Sequence, residues 1–308
     1  IGGYRVSDIE IVAAFDINKN KVGLDISEAI FTEPNNTTKF SEVPKLNVEV
    51  SPGKVLDGIG KFVEDIIEPV EDSDAVVEVL KSSGAEILVN LLPVGSDDAV
   101  KFYADCAIEA GVGFINCIPV FIARDKSWYQ KFADNNVPLI GDDIKSQVGA
   151  TIVHRALAQL FSDRGINLKR SYQLNVGGNM DFLNMLEEDR LQTKRTSKTT
   201  SVTSVANKGK GMEEGTVRIG PSDYVEWLED RKKAFIRLEG EAFGGVPLNI
   251  ELQLEVWDSP NSAGVVIDAI RYMKFFAMKK DLKSLDLVSA WLMKAPAEAA
   301  KDSETLKK

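Results

Sequence analysis

The sequence is poor in the residues that most often carry metal and acid–base chemistry. Of its 308 residues one is a histidine, His154, and two are cysteines, Cys106 and Cys117. Because Cys and His form no cluster with metal-ligand spacing, the sequence predicts no zinc or iron site of the usual kind. Both cysteines stand in apolar surroundings, where buried free thiols are expected, and a reducing compartment fits them.

The single histidine follows two apolar residues at the start of a predicted helix. At such a position packing or capping is a commoner role for His154 than catalysis. If the protein is an enzyme, Lys, Asp, Glu or water must therefore carry most of its proton transfers.

Long apolar runs and an excess of positive charge are also missing. No apolar run approaches the roughly 18 residues of a membrane span, and no signal peptide is visible. The formal charge is −10, from 37 Lys and Arg against 47 Asp and Glu. An acidic surface argues against nucleic acid or an anionic membrane as the main partner. We therefore expect a cytoplasmic protein that binds neither.

The first half of the chain alternates short apolar runs with helical patterns. Short connections between such elements are typical of a parallel α/β sheet. The predicted strands cover residues 9–15, 86–92, 113–118 and 137–140. The predicted helices cover residues 73–83, 97–110 and 121–135.

The strand predicted at residues 9–15 ends in Asp16. Dinucleotide-binding folds place a carboxylate there to hold the adenosine ribose. The Gly-rich phosphate loop that should precede it is not in this chain, since Gly2-Gly3 does not match G-x-G-x-x-G. If this is a dinucleotide fold, its first strand and loop are expected before Ile1.

The second half has a different pattern. Residues 151–164 predict a helix and residues 168–176 a strand, while residues 233–239 and 246–257 alternate with period two. Such alternation is typical of a sheet with one solvent-exposed face, which is usually antiparallel. Residues of about 143 to 257 thus predict a second, α+β domain. A polar segment at 193–215 fits either a surface loop or a lysine-bearing segment that orders over an anionic ligand.

Two polar turns follow predicted strands, where open α/β sheets bind their ligands. One contains Gly141, Asp142 and Asp143, and the other runs from Gly177 to Asp181. Each alone fits an ordinary turn equally well. Lys294 stands between an apolar triplet and a proline, which predicts an inward-pointing lysine.

These features belong to a series of motifs that occur in order over nearly the whole chain. The motifs are VAAFD (12–16), NLLPVGS (90–96), IPVFIA (118–123), GDDIKSQVGAT (141–151), LNVGGNMDFLNM (174–185), TKRTSK (193–198), LEDRK (228–232), EVWDSPNSAG (255–264) and WLMKAP (291–296). In them the chain resembles the bacterial branch of the myo-inositol-1-phosphate (inositol-3-phosphate) synthases.

The resemblance implies a Rossmann-like NAD-binding domain with an inserted α+β domain for catalysis and tetramerisation. The implied boundaries are 1–142 plus 258–308 and 143–257. It further implies a redox-neutral isomerisation of D-glucose 6-phosphate to 1D-myo-inositol 3-phosphate by C5 oxidation, enolisation, aldol cyclisation and reduction. NAD is the cofactor, and a homotetramer the expected assembly. Some family members carry a divalent or monovalent cation near NAD, but the sequence names no ligand for one.

The family's functional residues can be carried over to this sequence. The implied catalytic residues are Lys194, Lys198, Lys232, Lys294, Asp143, Asp181 and Asp258, with Lys294 as the expected general base and Lys232 as its rival. Substrate is expected on Asn179, Asp181, Lys194, Lys198 and Lys232. NAD is expected on Asp16, Leu92, Pro93, Asp143, Ser146, Asp258 and Ser259. Clustered lysines should depress the pKa of at least one of them.

Three other functions stay open at this point. The chain could be another NAD(P)-dependent two-domain oxidoreductase that releases its reduced cofactor, since this architecture hosts many reactions. It could be a non-catalytic protein that binds NAD or a sugar phosphate, or a structural module of an oligomer. Retention of all the family's lysines and aspartates argues against the non-catalytic protein, and a structural module has no evident need for the charged turns.

Overall fold

The computed structural model describes residues 1–187, 199–210 and 212–299. In the first part of the chain, short parallel strands lie between helices. Strand β1 (Ala14–Asp16) pairs in parallel with β2 (Val50–Pro52), and the short helix α1 (Ile26–Ala29) lies between them in the chain. A second parallel sheet has the order β3 (Ile87–Asn90), β4 (Gly113–Asn116) and β5 (Leu139–Ile140).

Helices cover both faces of the β3–β4–β5 sheet. On one face α2 (Val76–Ser82), α3 (Asp97–Ala110) and α4 (Lys126–Asp134) surround buried Phe114, Ile122 and Phe132. On the other face α7 (Asp258–Met278) and α8 (Leu285–Leu292) pack against Ile115 and Ile140. This confirms the predicted parallel α/β architecture, which is consistent with a Rossmann-like fold.

The prediction of a strand over residues 9–15 is wrong for most of its length. Only β1 at its end is a strand, and Ile11 and Val12 are 49% and 38% exposed. Among the described residues β1 pairs with β2 alone, and that pairing spans three residues. An apolar run without a neighbouring strand has no ladder to join, so hydrophobicity alone does not make it a strand.

The second part of the chain forms a four-stranded mixed sheet. Its order is β7 (Val217–Tyr224), β6 (Asn167–Gly177), β8 (Arg231–Glu241) and β9 (Pro247–Trp257). Strand β9 is antiparallel to β8 and alternates between exposed and partly buried residues, as predicted. Strand β7 is parallel to β6 and was not predicted, because Gly220 and Pro221 interrupt any alternation within it.

Helix α5 (Ala150–Asp163) covers one face of this sheet, and the short helix α6 (Met180–Asn184) follows β6. Residues 199–203 are also helical. Helix α7 begins at Asp258, and Pro260 fits its first turn. In the part of the chain that is described, none of the helices has the length and apolar character needed to span a membrane.

The two predictions about scarce residues are confirmed. His154 is fully buried in α5, with its ring nitrogens 3.2 Å from Gln173 Oε1 and 2.6 Å from Ser171 Oγ. Burial lowers the pKa of His154 to about 4, so the ring is neutral at physiological pH. Cys106 and Cys117 are buried free thiols. The domain boundaries stay a prediction.

Candidate active site

The turn after β5 contains a fully buried carboxylate, that of Asp142. It is surrounded by N–H donors from the strand and loop beside it. They are the Asn116 side-chain amide at 2.7 Å and the backbone N–H groups of Ile122 at 3.0 Å, Ala123 at 3.1 Å and Arg124 at 3.0 Å. Burial raises the pKa of Asp142 to about 7, although these four donors favour its ionised form. Asn90 extends the network by donating to Asn116 Oδ1 at 2.8 Å.

The next residue, Asp143, is paired with Lys294. Lys294 Nζ lies 2.7 Å from Asp143 Oδ1, and the two side chains are 15% and 5% exposed. The backbone holds the pair in register, since Lys294 N–H donates to the Asp143 carbonyl at 2.7 Å and Ala295 N–H to the Asp142 carbonyl at 2.9 Å. The prediction that Lys294 points inward is confirmed.

Lys145, two residues after Asp143, is a second buried lysine. It is 3% exposed, and its ammonium donates to the carbonyls of Ala290 at 3.1 Å and Trp291 at 2.9 Å. These carbonyls lie in the last turn of α8, where a cation is favoured by the helix dipole. Lys145 thus fixes the helix that leads into Lys294.

The second lysine–carboxylate pair joins Lys232, at the start of β8, to Asp258, at the start of α7. Lys232 Nζ lies 3.0 Å from Asp258 Oδ1 and 5.8 Å from the centre of the Phe182 ring. Burial acts to lower the pKa of Lys232, but the charges of Asp258, Asp181 and Asp143 outweigh it, and the pKa is raised. The pKa of Lys232 is raised because carboxylates, rather than other cations, are its neighbours, and the depression expected for at least one of the clustered lysines stays a prediction.

Asp181 reaches this cluster through the turn between β6 and α6. Gly178 is required there, because a Cβ on it would lie 2.5 Å from the Val225 carbonyl oxygen. Asn179 then caps α6 by accepting a hydrogen bond from Phe182 N–H at 3.1 Å. The cap places Asp181 in the first turn of α6, where its charge acts on Lys232.

Sequence reasoning missed Asp230. It is fully buried, and its carboxylate accepts hydrogen bonds from Asn179 Nδ2 at 3.1 Å, Ser259 N–H at 3.1 Å and Ser259 Oγ at 2.8 Å. Burial raises its pKa. In the sequence it stands in the charged run LEDRK, which predicts only a solvated strand end.

The residues expected to bind the cofactor are spread over several elements. Asp16 ends β1, accepts from Asn18 N–H at 2.8 Å and lies 3.5 Å from Lys21. Leu92 is half-buried and Pro93 exposed after β3, and Ser146 is half-buried before α5. The hydroxyl of Ser259 donates to Asp230. Lys194 and Lys198 lie outside the described residues.

Several features at the carboxyl ends of the parallel strands fit a dinucleotide. The Asp16 carboxylate is 32% exposed and can accept from ribose hydroxyls, and Leu91 presents a 68% exposed apolar side chain after β3. Beside the same loop Asn184 donates to the Val94 carbonyl at 2.9 Å, while its Oδ1 is buried and has no partner among the described residues. A buried acceptor of this kind is commonly satisfied by a ligand or a water.

The structure gives less support for a metal-binding site. Within residues 1–187, 199–210 and 212–299, no three His, Cys, Asp or Glu side chains are grouped so that they could hold an ion. Two of the acidic groups near the site instead pair with lysines, Asp143 with Lys294 and Asp258 with Lys232.

Comparison with known proteins identifies the family. The model of the myo-inositol-1-phosphate synthase family matches residues 149–259. The inositol-3-phosphate synthase of Mycolicibacterium smegmatis is 57% identical over 306 residues, which are 98% of this chain and 84% of that protein. The chain belongs to the inositol-3-phosphate synthase family.

Solved structures show a similar fold. Ari2 is 36% identical, with a TM-score of 0.75 over 100% of this chain and 84% of its own. A myo-inositol-1-phosphate synthase-related protein from Thermotoga maritima shares the fold at 24% identity, with a TM-score of 0.80 over 97% of this chain and 85% of its own. The part matched by the synthase family model contains Asp181, Asp230, Lys232 and Asp258.

Proposed function

We propose that the protein is an NAD-dependent inositol-3-phosphate synthase. It converts D-glucose 6-phosphate to 1D-myo-inositol 3-phosphate by C5 oxidation, enolisation, intramolecular aldol cyclisation and reduction. The observation that carries the proposal is the pair of inward lysines, each held by a carboxylate, in a chain that belongs to this family. The reaction forms an alkoxide and an enolate, and cations fixed in a water-poor site stabilise such oxyanions.

When bound, NAD supplies reversible oxidation at one carbon of the sugar. Asp16, Leu92, Pro93, Asp143, Ser146, Asp258 and Ser259 would hold it. Among these, Asp143 and Asp258 also pair with Lys294 and Lys232, so the cofactor and the substrate would lie next to each other at these two pairs.

Lys232 acts as a cation in this scheme. Its raised pKa keeps it protonated at neutral pH, which suits contact with a phosphate or a developing oxyanion and not proton removal. Asn179 and Asp181 would accept from sugar hydroxyls beside it. Lys194 and Lys198, four residues apart, would supply further positive charge to the phosphate.

Lys294 is the general base of the scheme. Its amine is oriented by the hydrogen bond to Asp143 and by the backbone pairing of residues 294–295 with residues 142–143. Once the ammonium of the resting pair has released a proton, the amine oriented in this way can accept one from the C5 hydroxyl or from C6. Lys145 would act indirectly, since it holds α8 through the carbonyls of Ala290 and Trp291.

Two further features belong to the proposal. The NAD-binding domain would comprise residues 1–142 and 258–308, and the inserted catalytic domain residues 143–257. The mixed sheet would form the interface of a cytoplasmic homotetramer, as the family resemblance implies. Analytical ultracentrifugation would test the assembly, and a monomer at micromolar concentration would contradict it.

Lys198→Ala tests the phosphate role. Loss of a cation from the phosphate site should weaken binding of glucose 6-phosphate by about 10- to 150-fold, since a hydrogen bond to a charged group is worth about 1.5–3 kcal/mol. Isothermal titration with substrate in the presence of NAD measures this. An unchanged substrate affinity would remove Lys198 from the phosphate site.

A further inference from the structure

Asp230 is a buried carboxylate that stands outside the ion pairs of the proposed site. It directly precedes β8, whose second residue is Lys232. Its side chain contacts are hydrogen bonds from Asn179 and Ser259, and no lysine or arginine of the described chain forms a salt bridge with it. A buried carboxylate held by neutral donors alone needs a structural or functional reason.

One of its contacts is with the start of α7. The residue before that helix, Trp257, provides no side-chain cap. Instead, Asp230 accepts two hydrogen bonds from the first residues of α7. Its backbone carbonyl accepts one from Asp258 N–H at 2.9 Å, and its Oδ2 accepts one from Ser259 N–H at 3.1 Å. The first N–H groups of a helix have no partner within it, and a carboxylate there also complements the helix dipole. Asp230, the residue before β8, therefore caps α7.

The other contact is with the start of α6. Asn179 Oδ1 caps that helix by accepting from Phe182 N–H, and Asn179 Nδ2 donates to Asp230 Oδ1 at 3.1 Å. One carboxylate thus ties together the first turns of α6 and α7. Asp181 lies in one of these turns and Asp258 in the other. Both charges act on Lys232, two residues from Asp230 in the chain.

We propose that Asp230 is a positioning residue that holds Asp181 and Asp258 beside the ammonium of Lys232. Among the described residues, the charges of Asp143, Asp181 and Asp258 act on Lys232, and Lys294 pairs with Asp143. The kinetic consequence rests on the proposed function. The electrostatic consequence does not, because it can be measured in the resting protein.

Asp230→Asn is the central variant. It keeps one oxygen for Asn179 Nδ2 and Ser259 Oγ, but turns an amide N–H₂ towards Ser259 N–H and removes the charge from the start of α7. Since a displacement of about 1 Å at a catalytic group can cost about 100-fold, kcat for inositol phosphate formation should fall about 10- to 100-fold.

The decisive readout is the titration of the Lys232 amine. Competitive acetylation over a pH series, followed by peptide mass spectrometry, gives for each lysine the midpoint of its titration, the pH at which half of its amine is neutral. Moving two carboxylates away from Lys232 should lower its midpoint by about one pH unit, which is a tenfold rise in the neutral amine at a given pH. A residue that only stabilises the fold would leave this midpoint unchanged.

The matched control is Asp268→Asn. Asp268 is also a carboxylate of α7, and it pairs with Arg271 at 3.1 Å within that helix. Its loss should change neither the Lys232 midpoint nor kcat. If Asp230→Asn does not fold, Ser259→Ala removes only the 2.8 Å hydroxyl contact and should lower the midpoint by a smaller amount.

The outcomes separate the two hypotheses. An unchanged Lys232 midpoint in folded Asp230→Asn, or in Ser259→Ala if the first variant does not fold, overturns the positioning role whatever happens to kcat. If the wild-type protein makes no inositol phosphate while the midpoint still falls in the variant, the proposed function fails and the positioning role stands.

Discussion

The ion pair between Lys294 and Asp143 should contribute strongly to stability as well as to catalysis. Replacing Lys294 by Met keeps the length of the side chain and its apolar stem but removes the ammonium 2.7 Å from Asp143 Oδ1. The Asp143 side chain is only 5% exposed, so water cannot replace the lost partner fully. Breaking a buried pair from one side typically costs about 3–5 kcal/mol. Because Lys294 is 15% exposed, we take the lower end, about 3 kcal/mol.

A chemical denaturation series with urea measures this value. With about 2 °C lost per kcal/mol for a large domain, the apparent melting temperature should fall by about 6 °C. The double variant Lys294→Met/Asp143→Asn removes both charges and should recover most of the loss, because no unpaired charge then remains buried. Neither variant should turn over glucose 6-phosphate, while NAD should still bind Lys294→Met.

Lys274→Met is the matched control for this series. Lys274 pairs with Glu86 at the surface, where the carboxylate is 67% exposed. Surface pairs contribute about 0–1 kcal/mol. If Lys294→Met costs no more than this control, or if the double variant is less stable than the single one, the reasoning about a buried pair is refuted.

Two further predictions concern buried groups outside the lysine pairs. Asp142→Ala leaves four N–H donors without their acceptor and should lower the free energy of unfolding by about 4 kcal/mol or more, at about 1–3 kcal/mol for each unsatisfied donor; a loss under 1 kcal/mol in urea denaturation would contradict it. Burial lowers the pKa of His154 to about 4. Between about pH 6.5 and 4 the unfolded chain therefore binds a proton on this residue and the folded protein does not. The free energy of unfolding should fall by up to about 3 kcal/mol as the pH drops through that window. His154→Gln should flatten the profile, and identical slopes for both proteins would refute the assignment.

The elements that sequence patterns predicted well are those whose signal is local. Strands β3 and β4 are short apolar runs that end at polar residues, and α3 has a continuous apolar face. Apolar and polar residues alternate along β9 because one face of the strand packs against the core beneath α5 and the other face is exposed. Such signals need no knowledge of distant residues.

Other elements depend on neighbours that are far away in the chain. Residues 9–13 are as apolar as a strand, but no described strand pairs with them. Strand β7 lacks alternation and exists because β6 offers it a ladder. In both cases tertiary pairing, and not local composition, decides whether a strand forms.

The candidate site, too, could be predicted only in part from the sequence. The family resemblance named Lys232, Lys294, Asp143 and Asp258, and the structure pairs them as two ion pairs. The resemblance could not give the partner of each charge, so the raised pKa of Lys232 was not predicted. Asp230 was missed because its contacts are 29 and 51 residues away in the chain.

Product analysis tests the central claim most directly. The protein is incubated with glucose 6-phosphate and NAD, and the mixture is assayed for inositol phosphate by mass spectrometry and for NADH by absorbance. A redox-neutral synthase predicts inositol phosphate in many turnovers with no net NADH. Accumulation of NADH together with an oxidised sugar would instead indicate an ordinary dehydrogenase, and substrate binding without any product would indicate a non-catalytic protein. Either result would contradict the proposed function.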